Sequence, residues 1–294
     1  MTLRDYQTEA LRTDQVPGTS ETAMIVPLLG LAGEVGTLLT EYKKRLREGD
    51  AYRVYADRVA EELGDILWYV SNVASKAGLN LDDIARANLE KTTRRWTELA
   101  LTETHEMALF DTGFPEAERL PRIFRIVIDE TVDADRARVA ITLDGAPVGD
   151  ALTDNAYEED GYRYHDIFHL AYAAVLGWSP VTRKLMGRKR KSAPRVDEVE
   201  DGGRATAIEE GISALVFDYA RDHSFLDSVD HVDYGVLRTI RQLTRNLEVS
   251  TCSEYQWQDA ILKGFAVWRR FRHSRRGLLV GDLLRKTIEF ELLP

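Results

Sequence analysis

The 294 residues, 44% hydrophobic and 30% charged, have the composition of a globular protein with a core. Cys252 is the single cysteine, which excludes an intrachain disulfide. The sequence has neither an apolar run near 18 residues nor a signal peptide, so we expect a cytoplasmic protein without a membrane partner. The net charge of −10 is concentrated in residues 107–160, whereas residues 161–294 are slightly basic, so we predict two functional halves joined by an acidic connector.

Helical patterns follow one another through the N-terminal third of the chain. They predict helices at about residues 2–12, 22–48 and 52–76, and a fourth that starts at Asn80 or Asp82. Apolar residues on the second helix recur at spacings of three and four and predict a buried face: Leu28, Leu31, Val35, Leu38 and Tyr42. Short loops between long amphipathic helices predict neighbouring antiparallel helices, and hence a helical bundle.

The pattern changes after about residue 106. Residues 122–129 and 138–143 have the character of strands, and Asp144-Gly145 is a strong turn signal, so we predict a small β-hairpin element of two or three strands. Helical patterns resume at about 164–176, 204–222, 234–248 and 253–271. The predicted fold class is therefore mainly α, with domains at residues 1–106, 107–160 (the acidic connector with its β element) and 161–294.

Three carboxylates on the second and third predicted helices point to a cation site. Glu62 and Asp65 share a helix face, and pairing of the two helices can bring Glu34 opposite them. Carboxylates in a bundle interior are costly to bury, and a hard divalent cation that prefers oxygen ligands removes that cost. The alternative is a solvated acidic face. Three glycines within residues 30–36 favour a site, because each lowers helix propensity by about 1 kcal/mol and suggests close helix approach.

Three runs of residues resemble the motifs of the MazG-like all-α nucleoside triphosphate pyrophosphohydrolases. They are GLAGEVGTLLTEYKK at 30–44, EELGDILWYV at 61–70 and GLNLDDIARANLEKTTRRW at 78–96, in the order and at the spacing of that family. The resemblance covers the first third of the chain. It implies a MazG-like helical bundle that uses Mg²⁺, with Mn²⁺ as the alternative ion, to hydrolyse an NTP or dNTP to the monophosphate and pyrophosphate. It also implies a homo-oligomer, in the first instance a dimer.

The resemblance also carries residue roles. Glu34, Glu62 and Asp65 match the catalytic, metal-binding pattern of Glu-x-x-Glu followed by Glu-x-x-Asp, but the second Glu of that pattern falls on Thr37. Glu41, Glu61 or a water molecule could replace the missing ligand.

Four further positions match those that lie near the substrate phosphates in the family: Asn88, Lys91, Arg94 and Arg95. Ordinary solvated helix charge is the alternative for the two arginines. Because Thr is a poor substitute for a carboxylate, a second function stays open: a nucleotide-sensing protein with a weakened MazG fold and a basic half that binds a partner or nucleic acid.

The second half of the chain contains a candidate site of its own. His165 and His169 lie four residues apart on one helical face, a spacing at which one metal ion can touch both. Glu209 or Glu210 on a later helix could add an oxygen ligand. Asp166 lies off that face, so we predict that it orients a neighbour. The alternative is that both histidines are structural.

Two basic stretches, residues 183–195 and 268–276, would suit phosphate or nucleic-acid contact, with solvated surface charge as the alternative. The overall arrangement resembles the C-terminal domains appended to MazG modules in predicted bacterial conflict systems. That resemblance implies a role in nucleotide-pool control or in antiviral defence.

Overall fold

The structure, a computed structural model, describes residues 1–96, 109–133 and 136–293, with the side chains of residues 94–96 and 133 outside the description. The chain divides into two compact units, Met1–Thr93 and Arg94–Pro294. The described chain is mainly helical, which confirms the predicted fold class. The predicted domain limits at residues 106 and 160 remain predictions.

The N-terminal unit contains the helices α1 (Leu3–Ala10), α2 (Glu21–Glu48), α3 (Tyr55–Lys76) and α4 (Leu81–Trp96). Local capping explains where the first two begin. Thr2 forms a capping box with Asp5, and the Ser20 hydroxyl accepts a hydrogen bond from the Ala23 amide. The predicted helices of this third are confirmed to within a few residues.

Polar contacts tie the short helix α1 to the end of α3 and the start of α4. The buried Gln7 amide donates to the Ser75 hydroxyl at 2.9 Å and to the Leu79 carbonyl at 2.8 Å, and its oxygen accepts from the Leu81 amide. Lys76 is also buried, 2.6 Å from an Asp14 oxygen. Buried polar groups need such partners, so these contacts fix the register of α1 and of the loop that follows it.

The apolar face predicted on α2 is not buried in this chain. Leu28, Val35 and Tyr42 are 45%, 42% and 52% exposed, while Leu31 and Leu38 are half-buried. The prediction was wrong because apolar residues surround much of this long helix, and α3 is its main neighbour.

Helix α2 bears on the expectation that the chain has no membrane-spanning segment. By length and composition, Glu21–Ala51 is sufficient to cross a membrane, since Glu34 is the one charged residue between positions 23 and 40. A helix of a soluble protein passes the same test, so the absence of a membrane partner stays a prediction.

One antiparallel sheet runs through the C-terminal unit, with the strand order β3-β2-β1-β4-β5. Its strands are β1 (Ile123–Asp133), β2 (Arg136–Leu143), β3 (Ala146–Pro147), β4 (Arg276–Asp282) and β5 (Thr287–Glu291). Asp144 and Gly145 both have positive φ, 51° and 79°, as the two-residue turn between β2 and β3 requires. The predicted strands are confirmed. β4 and β5, which the sequence analysis did not assign, extend the sheet on the other side of β1.

Helices surround one central helix in this unit. They are α5 (Asp166–Leu176), α6 (Pro180–Leu185), α7 (Pro194–Val199), α8 (Gly203–Asp222), α9 (Tyr234–Thr244) and α10 (Glu254–Ser274). Every residue of α5 from Ile167 to Leu176 is buried, as expected of a helix that is apolar all round. The four longer helices confirm the prediction. The short α6 and α7, each with proline in its first turn, were not predicted.

Candidate active site and histidine cluster

A close contact between α2 and α3 lies at Gly30. A Cβ atom added there would stand 2.2 Å from Cε1 of Tyr69, so the Tyr69 ring occupies the space that any other residue would need. The close helix approach predicted from the glycine-rich run is therefore confirmed at Gly30. It is wrong for Gly33 and Gly36, where an added Cβ would meet nothing within 4 Å.

Gly30→Ala is expected to lower the free energy of unfolding by about 1–3 kcal/mol, because the methyl group overpacks the contact with Tyr69. Gly33→Ala is the matched control on the same helix. It should be neutral or stabilising by up to about 1 kcal/mol, because alanine is the better helix former and its methyl group meets open space. Thermal unfolding of both variants measures the difference, and equal melting temperatures would contradict the contact.

The three predicted carboxylates come together where α2 faces α3. Glu62 is buried, with 9% of its surface exposed, while Glu34 is half-buried and Asp65 is exposed. The pKa of Glu62 is raised, first by burial, then by the negative charge of Glu34 and a contact with it, and then by the charges of Asp65 and Glu41. Oε2 of Glu62 is buried without a hydrogen-bond partner among the described residues. What this oxygen lacks is a hydrogen-bond donor or a cation.

The two carboxylates predicted as replacement ligands already have partners. Glu41 is buried, accepts from Lys44 Nζ at 2.5 Å and from the Tyr52 hydroxyl, and both bonds lower its pKa. Glu61 is exposed and pairs with Arg58 at 2.7 Å. Their assignment as metal ligands stays a prediction, and each would have to exchange a cationic partner for the ion.

Thr37 does not offer a free ligand in this arrangement. Its exposed hydroxyl donates to the Gly33 carbonyl of the preceding turn at 3.3 Å. The candidate ligands that remain are Glu34, Glu62 and Asp65. All three offer carboxylate oxygens, and one of these, Oε2 of Glu62, is buried and unpaired. This donor set fits a hard divalent cation such as Mg²⁺, which is bound by one or two carboxylates and keeps several waters for substrate phosphates.

The residues predicted to contact phosphate are on α4. Asn88 and Lys91 are both exposed, and among the described residues no hydrogen bond or ion pair joins either side chain to the carboxylates. The side chains of Arg94 and Arg95 lie outside the described part of the chain. The four assignments therefore stay predictions.

The predicted histidine site of the second unit forms a buried network around His169. Nδ1 of His169 lies 2.9 Å from Oε1 of Glu209, and both side chains are wholly buried. Burial alone would lower the pKa of His169, but the charge and hydrogen bond of Glu209 and the close contact with Glu210 outweigh it and raise that pKa to about 10. Glu209 also accepts from the Ser179 hydroxyl at 2.6 Å and from the Val181 amide at 2.8 Å.

His165 and Asp166 complete this cluster at the start of α5. Each of His165, Asp166 and His169 places one metal-capable atom within 4.8 Å of the other two. Glu210 approaches from α8, with Oε2 at 3.3 Å from Nε2 of His169. The structure brings the predicted His165, His169, Glu209 and Glu210 together. It also adds Asp166, which helix periodicity had placed off the shared face.

The basic stretch at 183–195 is not the free surface that its charge density predicted. Arg183 and Arg190 are both 1% exposed. The Arg183 guanidinium lies 2.9 Å from Asp111, and Arg190 lies 2.7 Å from both Asp201 and Glu248. Sequence analysis missed these three acidic partners, because two of them lie 58 and 72 residues from the arginine they pair with. Lys184, Lys191 and Arg195 remain exposed.

In the second basic stretch the aromatic residues are buried, whereas Arg270, Arg272, Arg275 and Arg276 are exposed. Trp268 is wholly buried and donates Nε1–H to the Gly161 carbonyl at 3.0 Å, and Phe271 is equally buried. Arg272 stacks at 4.8 Å from the Phe225 ring centre. These aromatic rings belong to the core, so they are not available to stack on nucleic-acid bases. A nucleic-acid partner stays a prediction.

The chain thus has an all-helical unit with an acidic site between two of its helices, followed by a sheet-containing unit with its own ionisable cluster. Residues 27–99 match the family model of the MazG nucleotide pyrophosphohydrolase domain, and residues 105–294 match that of the MazG C-terminal domain. The chain belongs to the MazG family. It is also 33% identical over 96 residues to the Gene 37 protein of Mycobacterium phage L5, an alignment that covers 31% of this chain and 84% of the phage protein. No solved structure matches the chain.

Proposed function

We propose that the N-terminal unit hydrolyses an NTP or dNTP to the monophosphate and pyrophosphate, with Mg²⁺ or Mn²⁺ held by Glu34, Glu62 and Asp65. The match to a nucleotide pyrophosphohydrolase domain supports this class of reaction in general. The observation that carries the assignment is the buried, unpaired Oε2 of Glu62 beside two other carboxylates. Without a cation this arrangement is electrostatically unfavourable, so its presence favours a cation-dependent role.

The reaction needs little covalent chemistry from the protein. The oxygen of a water molecule forms a new bond to phosphorus, the bond between the α- and β-phosphates breaks, and a carboxylate of the set accepts the proton that the water releases. A bound divalent cation would neutralise phosphate charge and lower the pKa of water. Asn88 and Lys91 have side chains suited to bind phosphate oxygens, and Arg94 and Arg95 have the same chemistry.

Pyrophosphate release measured over all eight NTPs and dNTPs, with Mg²⁺, with Mn²⁺ and with EDTA, tests this proposal. We expect cation-dependent release from at least one nucleotide. The alternative, a nucleotide-sensing protein, is favoured by one observation: the Thr37 hydroxyl is bonded within its own helix where the family has a carboxylate. Nucleotide binding without any release of pyrophosphate would support that alternative and contradict the enzyme.

Thr37→Glu is expected to tighten Mg²⁺ binding and to raise the rate of pyrophosphate release. The position is exposed and lies one turn from Glu34, so an added carboxylate has room to reach the ion. Glu41→Ala is the matched comparison. Since Glu41 is already bonded to Lys44 and Tyr52, its loss should reduce stability but leave Mg²⁺ affinity close to that of the parent. Metal titration by calorimetry decides which of the two residues completes the ligand set.

We also propose that the chain forms a homodimer through the exposed apolar surface of the N-terminal unit. Several large aliphatic side chains there are half or more exposed: Leu29 at 68%, Leu39 at 58%, Leu46 at 69%, Leu63 at 50% and Leu89 at 65%. These leucines are distributed over α2, α3 and α4. Many exposed large aliphatic side chains in one small unit favour an interaction site, and a second copy of the chain offers the same complementary chemistry.

Leu46→Glu is expected to convert the dimer to a monomer in light scattering, because a charge on the interface must be desolvated on association. Leu284→Glu is the control: Leu284 is 70% exposed but lies in the C-terminal unit, and the variant should keep the mass of the parent. A parent chain that is monomeric at all concentrations would contradict the proposed dimer.

We place this activity in the cytoplasm and extend the proposal to nucleotide-pool control or antiviral defence, as the sequence resemblance implies. Plaque counts on cells that express the parent chain or the Glu62→Gln variant test the defence role. Equal plaque numbers would argue against it.

A further inference from the structure

Four side chains of the C-terminal unit, His165, Asp166, His169 and Glu210, converge where α5 begins. Nε2 of His165 is 3.9 Å from Oδ1 of Asp166, and Nε2 of His169 is 3.3 Å from Oε2 of Glu210. One metal-capable atom from each of His165, Asp166 and His169 lies within 4.8 Å of the others. These separations are short enough for a single ion to contact all of them after small side-chain rotations.

The two imidazole rings are oriented in the way that metal-binding histidines are. Nδ1 of His165 lies 2.9 Å from the Tyr162 carbonyl, and Nδ1 of His169 lies 2.9 Å from Glu209. A ring nitrogen that donates its N–H to a carbonyl or carboxylate leaves the other nitrogen with a lone pair for a metal. In both rings that other atom is Nε2. The Nε2 atom of His169 is buried and faces Oε2 of Glu210 at 3.3 Å, without the geometry of a hydrogen bond.

Hydrogen bonds and ring stacking hold the cluster on one side, and solvent reaches it on the other. Glu209, which orients His169, is itself fixed by the Ser179 hydroxyl and the Val181 amide. Tyr162 stacks on the His165 ring, with ring centres 4.5 Å apart and planes 7° from parallel. Glu210 is 44% exposed, so solvent reaches the cluster from its side. A preorganised inner wall and a solvent-facing ligand suit an ion that keeps open coordination positions.

We propose that His165, Asp166, His169 and Glu210 form a binding site for a divalent transition-metal ion of the Zn²⁺, Mn²⁺ or Fe²⁺ type. Two imidazole nitrogens with one or two carboxylate oxygens suit these ions, whereas Mg²⁺ and Ca²⁺ prefer oxygen ligands alone. Glu209 supports the site through His169 and is not a ligand itself. The chain then carries two cation sites of different chemistry, an all-oxygen site in the N-terminal unit and a mixed nitrogen–oxygen site in the C-terminal unit.

A different state of the same residues is a protonated His169 held between Glu209 and Glu210. The proton and the metal ion would occupy the same place, the Nε2 atom, and each would supply the positive charge that the two carboxylates require. Measurement of metal content separates the two states, because only one of them retains an ion.

The experiment uses the full-length chain that carries Glu62→Gln, so that the proposed nucleotide site is weakened. Protein purified without chelators is analysed for metal content by mass spectrometry, then stripped with EDTA and titrated with Co²⁺ and Zn²⁺. We expect about one ion per chain, a Co²⁺ absorption spectrum that shows nitrogen ligands, and competition of Zn²⁺ for Co²⁺. No retained ion and no Co²⁺ spectrum would overturn the site in favour of the protonated His169.

Single substitutions test which side chains bind the ion. Glu210→Gln and Asp166→Asn should each weaken Co²⁺ affinity by about 10-fold or more, and His165→Gln should change the Co²⁺ spectrum as well. His231→Gln is the matched control, since His231 lies 2.6 Å from an Asp230 oxygen but is largely exposed and outside the cluster. Because Glu210 is partly exposed, its variant should fold even if a change at His169 does not. Unchanged affinity in folded Glu210→Gln and Asp166→Asn would overturn the ligand assignment.

The outcome is independent of the proposed hydrolysis. Pyrophosphate release by the parent chain is measured separately and can fail while the metal is retained, or persist while the metal is absent.

Discussion

Glu62→Gln and Asp65→Asn are each expected to reduce pyrophosphate release by about 100-fold or more while the fold is kept. Loss of a group that only supports a metal ligand already costs about 10–100-fold in metal affinity or activity, so loss of a direct ligand should cost at least the upper part of that range. Both substitutions keep the shape of the side chain and remove its charge. The measurement is the initial rate of pyrophosphate release at saturating Mg²⁺.

Asp57→Asn is the control for this pair. Asp57 is an exposed carboxylate in the first turn of the same helix α3, and its change should alter the rate little. If Glu62→Gln or Asp65→Asn kept full activity with the metal dependence of the parent chain, the assignment of the active site would be wrong.

Stability provides a second readout at Glu62 that does not depend on turnover. Its pKa in the folded chain lies above the ordinary 4.5, so the folded state holds the proton more tightly than the unfolded state does. This contribution to stability is complete below the unfolded pKa and is lost as pH rises through the folded pKa. Glu62→Gln should therefore raise the melting temperature at pH 7 in EDTA. Mg²⁺ should raise the melting temperature of the parent chain more than that of the variant.

Asp201→Asn is expected to lower the free energy of unfolding by about 3–5 kcal/mol, the usual cost of removing one partner from a buried ion pair. The Asp201 side chain is fully buried and accepts from the backbone N–H and the guanidinium of Arg190, both at 2.7 Å. Arg183 lies 3.7 Å away. Burial and the neighbouring charge of Arg190 lower the pKa of Arg183, whereas the charges of Asp111 and Asp201 raise it. The two arginines can therefore stay charged and buried only while these acidic residues are present.

Asp218→Asn is the matched control for this prediction. Asp218 pairs with Arg221 one turn along α8, but both side chains are more than half exposed, and such pairs contribute about 0–1 kcal/mol. Urea unfolding followed by tryptophan fluorescence compares the two variants. Equal stability of Asp201→Asn and Asp218→Asn would show that the buried network does not stabilise the fold.

Features that depend on residues close together in the chain could be predicted before the fold was known. Helix limits followed, to within a few residues, from periodic apolar positions, as α2 and α3 show. The turn at Asp144-Gly145 followed from two residues that tolerate positive φ. The carboxylates Glu34, Glu62 and Asp65 were found because residues three or four apart on a helix share a face, and pairing of consecutive helices then brings the faces together.

Contacts between side chains that are far apart in sequence depend on how the whole unit packs. The charge density of residues 183–195 indicated a surface, but Arg183 and Arg190 point inward because partners far along the chain neutralise them. Strand β4 lies about 150 residues after β1 in sequence, so the local alternation of residues could not predict that the two strands pair. Likewise Asp166 joins His169 through the geometry at the start of α5, which an ideal helical wheel does not describe. Local periodicity specifies faces, whereas packing specifies which faces meet.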